Sequence, residues 1–288
     1  LMPRLALLQL QSTPDPVTNL SNTMRAIEKA ADGGAQIVCT QELFNTNYFP
    51  QKQSSESFQH AQLIPGELTE KLSQLSAELS IVIVASTFEK RSEGLYHSTT
   101  FAIDTDGSYL GKYRKMHIPQ DVTFQEKYYF TQGEDGYQVF QTKLGKLGIL
   151  LGWDSWFPEA ARILALMGAE IIICPTSIGI TCGADQDIYD QQHDAWRTML
   201  RSHSITNACY LATINRCGIE NDIEFWGRSF ITNEFGHIIA EGKEEQESIV
   251  YADINLDAIA KHRANWPFFR DRHITSYTDI SKRDIQPS

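Results

Sequence analysis

Three positions at the ends of apolar, strand-like segments could together act on a carbonyl group. They are a carboxylate at Glu42, an ammonium at Lys115 and a backbone turn at Gly152. A carboxylate at the end of an apolar strand suits a general base. An ammonium can stabilise the oxyanion that develops when a nucleophile attacks a carbonyl. Each residue also fits an ordinary role, as a strand-end acid facing water, a surface lysine and a turn glycine. Acyl-transfer chemistry therefore requires that the three segments converge in space.

The segment 147–159 has the pattern of a buried strand, a tight turn and the start of a helix. Such elbows present a nucleophile and direct backbone N–H groups at the reacting carbonyl. Here the turn carries Gly152, which offers no atom for attack. Ser155 follows in the helix-entry region and would need a different line of approach, while Cys174 and Cys182 belong to other segments. No neighbouring residue is an obvious substitute for a nucleophile.

Alternating strand-like and helix-like segments must position these residues. The run 5–10 is apolar and of strand length. A helix is predicted to begin at Pro16 after an N-cap at Asp15, and the turn Thr105-Asp106-Gly107 predicts a hairpin. Other strands are predicted at 36–40, 81–88, 137–142 and 146–151 and near 171, 211, 230, 238 and 249, with helices at 68–79, 158–167 and about 188–207. This order predicts sheets that are covered by helices on their outer faces.

The composition bounds the class of protein. Of 288 residues, 42% are hydrophobic and 21% charged, which is ordinary for a globular enzyme. No apolar run reaches the length of a membrane span and the segment 1–11 lacks a signal-peptide pattern, so we expect no membrane partner. The net charge of −11 disfavours a nucleic-acid partner. The five cysteines form no CxxC pair and no HxH or HExxH spacing occurs, so we expect no metal, no cofactor, reduced thiols and a cytoplasmic location.

Longer motifs extend beyond the three positions. The block 153–162 reads WDSWFPEAAR. Further motifs lie at 175–179, His193, Trp196-Arg197, Asn215-Arg216 and 269–272. Together with the order Glu42, Lys115 and elbow, these motifs resemble the nitrilase superfamily of carbon–nitrogen hydrolases over residues 5 to about 277. They are most similar to the members that act on a small, amine-bearing ureide.

The resemblance implies an architecture. The fold would be an α/β, four-layer αββα sandwich in which residues 1–288 form one domain. Members of the superfamily form a homodimer through the helices that flank the sheets, and many assemble further. The tail 265–288 contains Trp266 and Phe269 and is too apolar for a free disordered end. We expect it to pack on its own domain or on a neighbouring subunit.

The resemblance also implies a role for each site residue. Glu42 would be the general base, Lys115 the cation that stabilises the oxyanion, and position 152 the nucleophile of a Glu–Lys–Cys triad. The peptide N–H of Trp153 would complete the oxyanion hole. Glu126 matches a second glutamate that positions substrate or base, although it could also be one half of a surface Glu-Lys pair.

Position 152 departs from the family, because the resemblance implies Cys-Trp-Asp where this sequence has glycine first. We therefore expect the chain to be catalytically impaired. One explanation is an engineered substitution, in keeping with Leu1 before Met2, which looks like a residue left by cloning. The other is a natural non-catalytic member that binds a ligand or acts as a scaffold. Retention of both glutamates and the lysine favours engineering. The run 120–123 also lacks the expected Gly-Pro-rich sequence, which leaves the shape of the substrate entrance open.

The substrate tail distinguishes related enzymes. An amine-bearing ureide needs a carboxylate or carbonyl at the far end of its pocket. The candidate acids are Asp121, Asp154, Asp187 and Asp190. We expect Asp187 and Asp190 to bind the amine, because the stretch 181–192 is turn-rich and suits a substrate loop, whereas Asp154 could instead support the elbow. The other residues predicted to bind substrate are Trp153 and Thr176. The alternatives, an ω-amidase or a β-ureido acid amidohydrolase, would require an arginine.

Overall fold

The computed structural model describes residues 2–286. Leu1, on which the cloning hypothesis rests, and residues 287–288 of the predicted tail lie outside the described residues. The strands are β1 (Arg4–Gln9), β2 (Ile37–Thr40), β3 (Val82–Ser92), β4 (Leu95–Ile103), β5 (Tyr109–Arg114), β6 (Val139–Thr142), β7 (Gly145–Ile149), β8 (Ile171–Pro175), β9 (Gly179–Thr181), β10 (Tyr210–Ile214), β11 (Cys217–Glu220), β12 (Ile223–Trp226), β13 (Phe230–Thr232), β14 (Ile238–Glu241) and β15 (Ser248–Asp253). The α-helices are α1 (Pro16–Asp32), α2 (Glu67–Leu79), α3 (Pro158–Leu166), α4 (Gln186–Asn207) and α5 (Leu256–Asn265), and 3-10 helices lie at Ser55–His60, Glu126–Tyr128, Gly152–Trp156 and Ile274–Ser281.

Two six-stranded sheets form the centre of the fold. The strand order is β15-β1-β2-β3-β4-β5 in the first sheet and β14-β13-β10-β8-β7-β6 in the second. Strands β1, β2 and β3 run parallel, as do β7, β8 and β10, and the remaining pairs are antiparallel. The parallel strands are mostly buried on both faces, which explains their near-continuous apolar sequences. A separate three-stranded sheet has the order β11-β12-β9.

Side chains that alternate along the strands divide each sheet into an inner and an outer face. On β1, Leu5 and Leu7 pack in one cluster with Ile171 of β8, between the two sheets. Ala6 and Leu8 belong to a different cluster, which includes apolar residues of α1 and α2. The outer face of the second sheet packs in the same way against α3 and α4. The layers are therefore helix, sheet, sheet and helix, and the predicted αββα sandwich is confirmed.

Most of the predicted elements are confirmed, and local chemistry explains them. Helix α1 begins at Pro16 because the Asp15 carboxylate accepts hydrogen bonds from the N–H groups of Val17 and Thr18. Strands β4 and β5 form the hairpin around 105–107, and β6 pairs with β7. Within residues 2–286, none of the helices combines the length and apolar character needed to cross a bilayer.

Helix α4 begins earlier than the sequence predicted. Its first residue is Gln186, because the Asp185 carboxylate accepts a hydrogen bond from the N–H of Asp187 at 2.9 Å and caps the helix. The interpretation of 181–192 as one turn-rich substrate loop is therefore wrong beyond residue 185. Asp187 and Asp190 lie in the first turns of a helix.

Two elements have no clear signal in the sequence. The strands of the small sheet are only three or four residues long, so no periodicity marks them. Helix α5 also escapes prediction, but it leads into the tail. There, the ring of Phe269 lies 5.4 Å from the guanidinium carbon of Arg162 and 5.0 Å from that of Arg263. The start of the tail thus packs on its own chain, and contact with a neighbouring subunit stays a prediction.

Candidate active site

Three chain segments that are distant in sequence meet at one point. Glu42 follows β2, Lys115 follows β5 and Gly152 follows β7. The Nζ atom of Lys115 lies 2.9 Å from Oε1 of Glu42. A Cβ atom added to Gly152 would lie 2.7 Å from that Nζ and 2.8 Å from Oε2 of Glu42. The structure therefore brings together the three positions singled out in the sequence.

Glu126 extends these contacts into a buried row of polar groups. Its Oε2 atom lies 2.6 Å from Nζ of Lys115, and its Oε1 accepts a hydrogen bond from the Tyr48 hydroxyl at 2.7 Å. At the other end of the row, the Ser98 hydroxyl donates to Oε1 of Glu42 at 3.1 Å. The side chains of Glu42, Lys115 and Glu126 are at most 3% exposed. Glu126 is therefore not part of a surface pair, the alternative that the sequence left open.

Burial makes the ionisation of this row depend on its neighbours. Burial alone would lower the pKa of Lys115, but the charges of Glu126 and Glu42 outweigh it and hold the pKa above its usual value. Burial raises the pKa of Glu126 to about 7, although the charge of Lys115 opposes the rise. Burial also raises the pKa of Tyr48, which keeps its hydroxyl a donor. The site thus holds an ammonium beside Glu42, and a Glu126 that binds a proton more tightly than an exposed glutamate does.

A sharp turn places position 152 at the start of the helical segment Gly152–Trp156. Gly152 has a φ of +54°. For a residue with a side chain, this left-handed conformation costs about 1–2 kcal/mol of conformational free energy, whereas glycine adopts it freely. Backbone N–H groups in the first turn of a helix lack an intrahelical partner, so those of Gly152 and Trp153 can bind an acceptor from outside the segment.

The charged members of this row, hereafter the charged row, are Glu42, Lys115 and Glu126. They line a cavity of about 530 Å³. Of the residues predicted to bind substrate, Trp153 and Thr176 line this cavity, whereas Asp154, Asp187 and Asp190 do not. Asp187 and Asp190 are exposed on α4, and Asp190 accepts a hydrogen bond from the Gln186 side chain. Their positions do not support the prediction that they bind the substrate amine. Among residues 2–286, the acid at the cavity wall besides the two glutamates is Asp121.

The nearest serine and cysteines do not replace a nucleophile at position 152. The Ser155 hydroxyl donates to the carbonyl of Gly152 at 2.7 Å and is buried. Cys174 packs between the second sheet and its helices, where burial raises the pKa of its thiol. Cys182 is exposed beyond β9. None of these three side chains lines the cavity.

Asp154 stabilises the turn at Gly152 through its buried carboxylate. Its side chain is fully buried, and its Oδ2 accepts hydrogen bonds from the Tyr113 hydroxyl at 2.6 Å and from the N–H of Leu151 at 3.3 Å. Its Oδ1 accepts from the backbone N–H of His117 at 2.8 Å and lies 2.7 Å from the Nδ1 atom of that residue. The carboxylate therefore ties the turn at 152 to the segment that follows Lys115. This geometry favours the supporting role over substrate binding.

Asp154→Asn is expected to reduce the free energy of unfolding by about 2–3 kcal/mol. Either orientation of the new amide directs its NH2 group at a backbone N–H, that of Leu151 or that of His117, so a buried hydrogen bond is lost. Urea unfolding followed by tryptophan fluorescence measures the change. Asp187→Asn, on the exposed side of α4, is the control and should change the free energy by no more than about 0.5 kcal/mol. Equal losses in the two variants would contradict the supporting role.

Several site residues carry no signal in the sequence. Tyr48, which holds Glu126, lies in an irregular segment after Glu42 that no periodicity marks. Trp226 lines the cavity from β12, a strand of the small sheet that the sequence does not predict. Within residues 2–286, no group of three or more His, Cys, Asp and Glu side chains could hold a metal ion.

Comparison with known proteins shows the family to which the chain belongs. A family model described as carbon–nitrogen hydrolase matches residues 4–264. The chain is 40% identical to an N-carbamoylputrescine amidase from Solanum lycopersicum, over 94% of this chain and 92% of that protein. It is 38% identical to a citrullinase from Francisella tularensis, over 97% and 98%. A solved carbon–nitrogen hydrolase from Helicobacter pylori G27 matches with a TM-score of 0.95 and 38% identity, over 99% of this chain and 100% of that chain. The chain therefore belongs to the carbon–nitrogen hydrolase family of the nitrilase superfamily, whose members hydrolyse amides and ureides.

Proposed function

We propose that this site binds a small compound with a terminal ureido group and that, with cysteine at position 152, it hydrolyses the ureide. The observation that carries this proposal is the convergence of Glu42, Lys115 and position 152 at one point of the cavity wall. Position 152 takes the place of the nucleophile in a Glu–Lys–Cys triad. With glycine there, the chain holds its substrate but forms no covalent intermediate, so its turnover is negligible.

The proposed reaction assigns one task to each group. Glu42 accepts the thiol proton while the sulfur attacks the ureido carbon. The Lys115 ammonium and the N–H of Trp153 stabilise the resulting oxyanion. When this intermediate collapses, the terminal nitrogen takes the proton back from Glu42 and leaves as ammonia, and a carbamoyl thioester remains. Water activated by Glu42 then releases the thiol and a carbamate, which decomposes to the free amine and CO2.

The cavity wall favours a substrate tail that carries an amine. The aromatic residues Phe124, Trp156 and Trp226 line it, and aromatic rings attract cations. Asp121 and Lys127 add one exposed charge of each sign to the cavity wall, so the aromatic residues decide the preference for an amine tail. No arginine among the described residues lines the cavity to pair with a carboxylate tail. We therefore infer N-carbamoylputrescine, the compound in the name of the tomato relative, as the preferred substrate.

Citrulline is a second candidate. It carries the same ureido head, and its tail bears both an ammonium and a carboxylate. The opposite charges of Asp121 and Lys127 in the cavity wall complement such a tail. The name of the Francisella relative points to this compound for that protein.

Isothermal titration calorimetry of the chain with Gly152 tests the proposed binding of the substrate. N-carbamoylputrescine is expected to bind at least about tenfold more tightly than N-carbamoyl-β-alanine, a difference of about 1.4 kcal/mol. Citrulline should fall between them. Tighter binding of the carboxylate compound would contradict the amine tail and favour the ω-amidase or β-ureido acid alternatives.

Asp121→Asn is expected to raise the dissociation constant of N-carbamoylputrescine by about two- to fivefold, because exposed charge pairs contribute up to about 1 kcal/mol. The same titration measures it. Asp187→Asn and Asp190→Asn are matched controls on α4 and should leave the dissociation constant unchanged. If the affinity for N-carbamoylputrescine fell only in one of these α4 variants, the amine of the substrate would be bound by α4 and not by Asp121.

A further inference from the structure

Arg216 is fully buried between β10 and β11 and stands outside the charged row. Its Nη2 atom donates to the backbone carbonyl of Glu42 at 2.8 Å and to that of Leu43 at 3.3 Å. Its Nη1 atom lies 3.5 Å from the carbonyl of Thr46, and its Nε donates to the Ser177 hydroxyl at 3.0 Å. This guanidinium is therefore bound to the main chain of the segment that carries the general base.

Glu220 neutralises Arg216 and extends the same contacts to Tyr48. The Nη1 atom of Arg216 lies 2.7 Å from Oε1 of Glu220, whose Oε2 accepts a hydrogen bond from the backbone N–H of Tyr48. The ring of Tyr48 also lies 5.6 Å from the guanidinium carbon, and its hydroxyl donates to Glu126 at 2.7 Å. One ion pair thus holds both ends of the segment 42–48, the end with Glu42 and the end whose tyrosine holds Glu126.

The segment 42–48 depends on such an anchor. Leu43 has a φ of +52°, a left-handed conformation that a leucine keeps only when its surroundings impose it. The segment forms neither helix nor strand, and within it the N–H of Thr46 donates to the carbonyl of Leu43. The buried carbonyls of Glu42 and Thr46 need other donors. Arg216 supplies donors to all three carbonyls. Without these contacts the main chain at Leu43 can relax, and the neighbouring Glu42 side chain would leave its place beside position 152.

We propose that the Arg216–Glu220 ion pair positions Glu42 and, through Tyr48, Glu126 for the reaction. Arg216 does not line the cavity, so it is a positioning residue. The inference rests on the proposed function of Glu42 as the general base. Because the anchor acts on the geometry of the reacting groups and not on the residues proposed to bind the substrate tail, its loss should act on kcat far more than on KM.

The test adds Arg216→Lys to the Gly152→Cys variant. Lysine keeps the positive charge but cannot reproduce the planar fork that reaches several acceptors. We expect kcat for N-carbamoylputrescine to fall about 100-fold with KM within about threefold of the parent. Arg263→Lys is the matched control, since Arg263 also binds backbone carbonyls, of Ala208 and Ala169, away from the cavity. It should leave kcat unchanged even where it lowers Tm.

A parental kcat in Arg216→Lys, whatever its Tm, would overturn the inference. If that variant does not fold, Glu220→Gln decides, because one amide cannot accept from both Arg216 and the N–H of Tyr48. The kcat of Glu220→Gln should fall at least about tenfold with KM retained, and a kcat equal to that of the parent would also overturn the inference.

An inactive Gly152→Cys parent would instead refute the proposed function. The crystal structure of Arg216→Lys, or of Glu220→Gln, then decides by whether the Glu42 carboxylate is displaced, and an unmoved carboxylate overturns the inference.

Discussion

Gly152→Cys is expected to raise the rate of ammonia release from N-carbamoylputrescine by about four to six orders of magnitude. The thiol supplies the attacking atom that glycine lacks, at a point that already faces Glu42 and Lys115. The measurement is kcat of the purified variant beside that of the unchanged chain. Equal and measurable rates would remove position 152 from the mechanism. No turnover in either protein would support a natural, non-catalytic member that binds a ligand or acts as a scaffold.

Gly152→Ala is the control, because any side chain at this position meets the same constraints. A Cβ atom there would lie 2.7 Å from Nζ of Lys115 and 2.8 Å from Oε2 of Glu42, so both side-chain ends must move. The left-handed φ adds about 1–2 kcal/mol. The alanine and cysteine variants should therefore lose similar free energy of unfolding, while the alanine variant stays inactive. An active alanine variant would show that turnover does not depend on a thiol.

Glu42→Gln, introduced into the Gly152→Cys variant, is expected to lower kcat by about 10²- to 10⁴-fold. The amide keeps the shape of the side chain, and its oxygen can still accept hydrogen bonds from Lys115 and Ser98. It cannot accept the thiol proton, so the nucleophile is no longer activated. Steady-state ammonia release, with Tm measured in parallel, separates this chemical loss from a loss of folded protein.

Glu89→Gln is the matched control for that substitution. Glu89 is also a buried carboxylate with cationic partners, and its Oε1 lies 2.7 Å from Nη2 of Arg114 and 2.6 Å from Nζ of Lys112. It does not line the cavity. Its substitution should reduce the free energy of unfolding by about 3–5 kcal/mol with little effect on kcat. A comparable fall in kcat would mean that the effect of Glu42→Gln also arises from destabilisation.

Sheets covered by helices could be predicted because the parallel strands are buried on both faces and appear as apolar runs, whereas the four-layer arrangement was implied by the resemblance to the nitrilase superfamily. The positions of Glu42, Lys115 and Gly152 at the ends of such runs indicated where the site lies. Contacts made by single side chains across the fold could not be predicted in this way. Arg216 stands in a motif that the sequence marks, yet its acceptor at Glu42 is 174 residues away along the chain.

Asp187 and Asp190 of α4 show a second limit of prediction from sequence. Spacing along a helix indicates which residues share a face but not which face meets a cavity. Gln192 and Ala195 line the cavity, whereas Asp187 and Asp190 lie outside it. The choice between these faces is made by the packing of Trp196 and its neighbours against the second sheet. A one-dimensional pattern does not contain that information.

Glu42 and Lys115 extend from strands of the first sheet, whereas Gly152 extends from a strand of the second. The distance between Glu42 and position 152 is thus set by the thickness of the apolar layer between the two sheets, which includes Leu7 and Ile171. When a methylene is removed from this apolar layer, the surrounding side chains and sheets relax partially into the space, and reaction rates respond steeply to changes in such distances. Residues that never meet a substrate can therefore tune how fast a member of this family works.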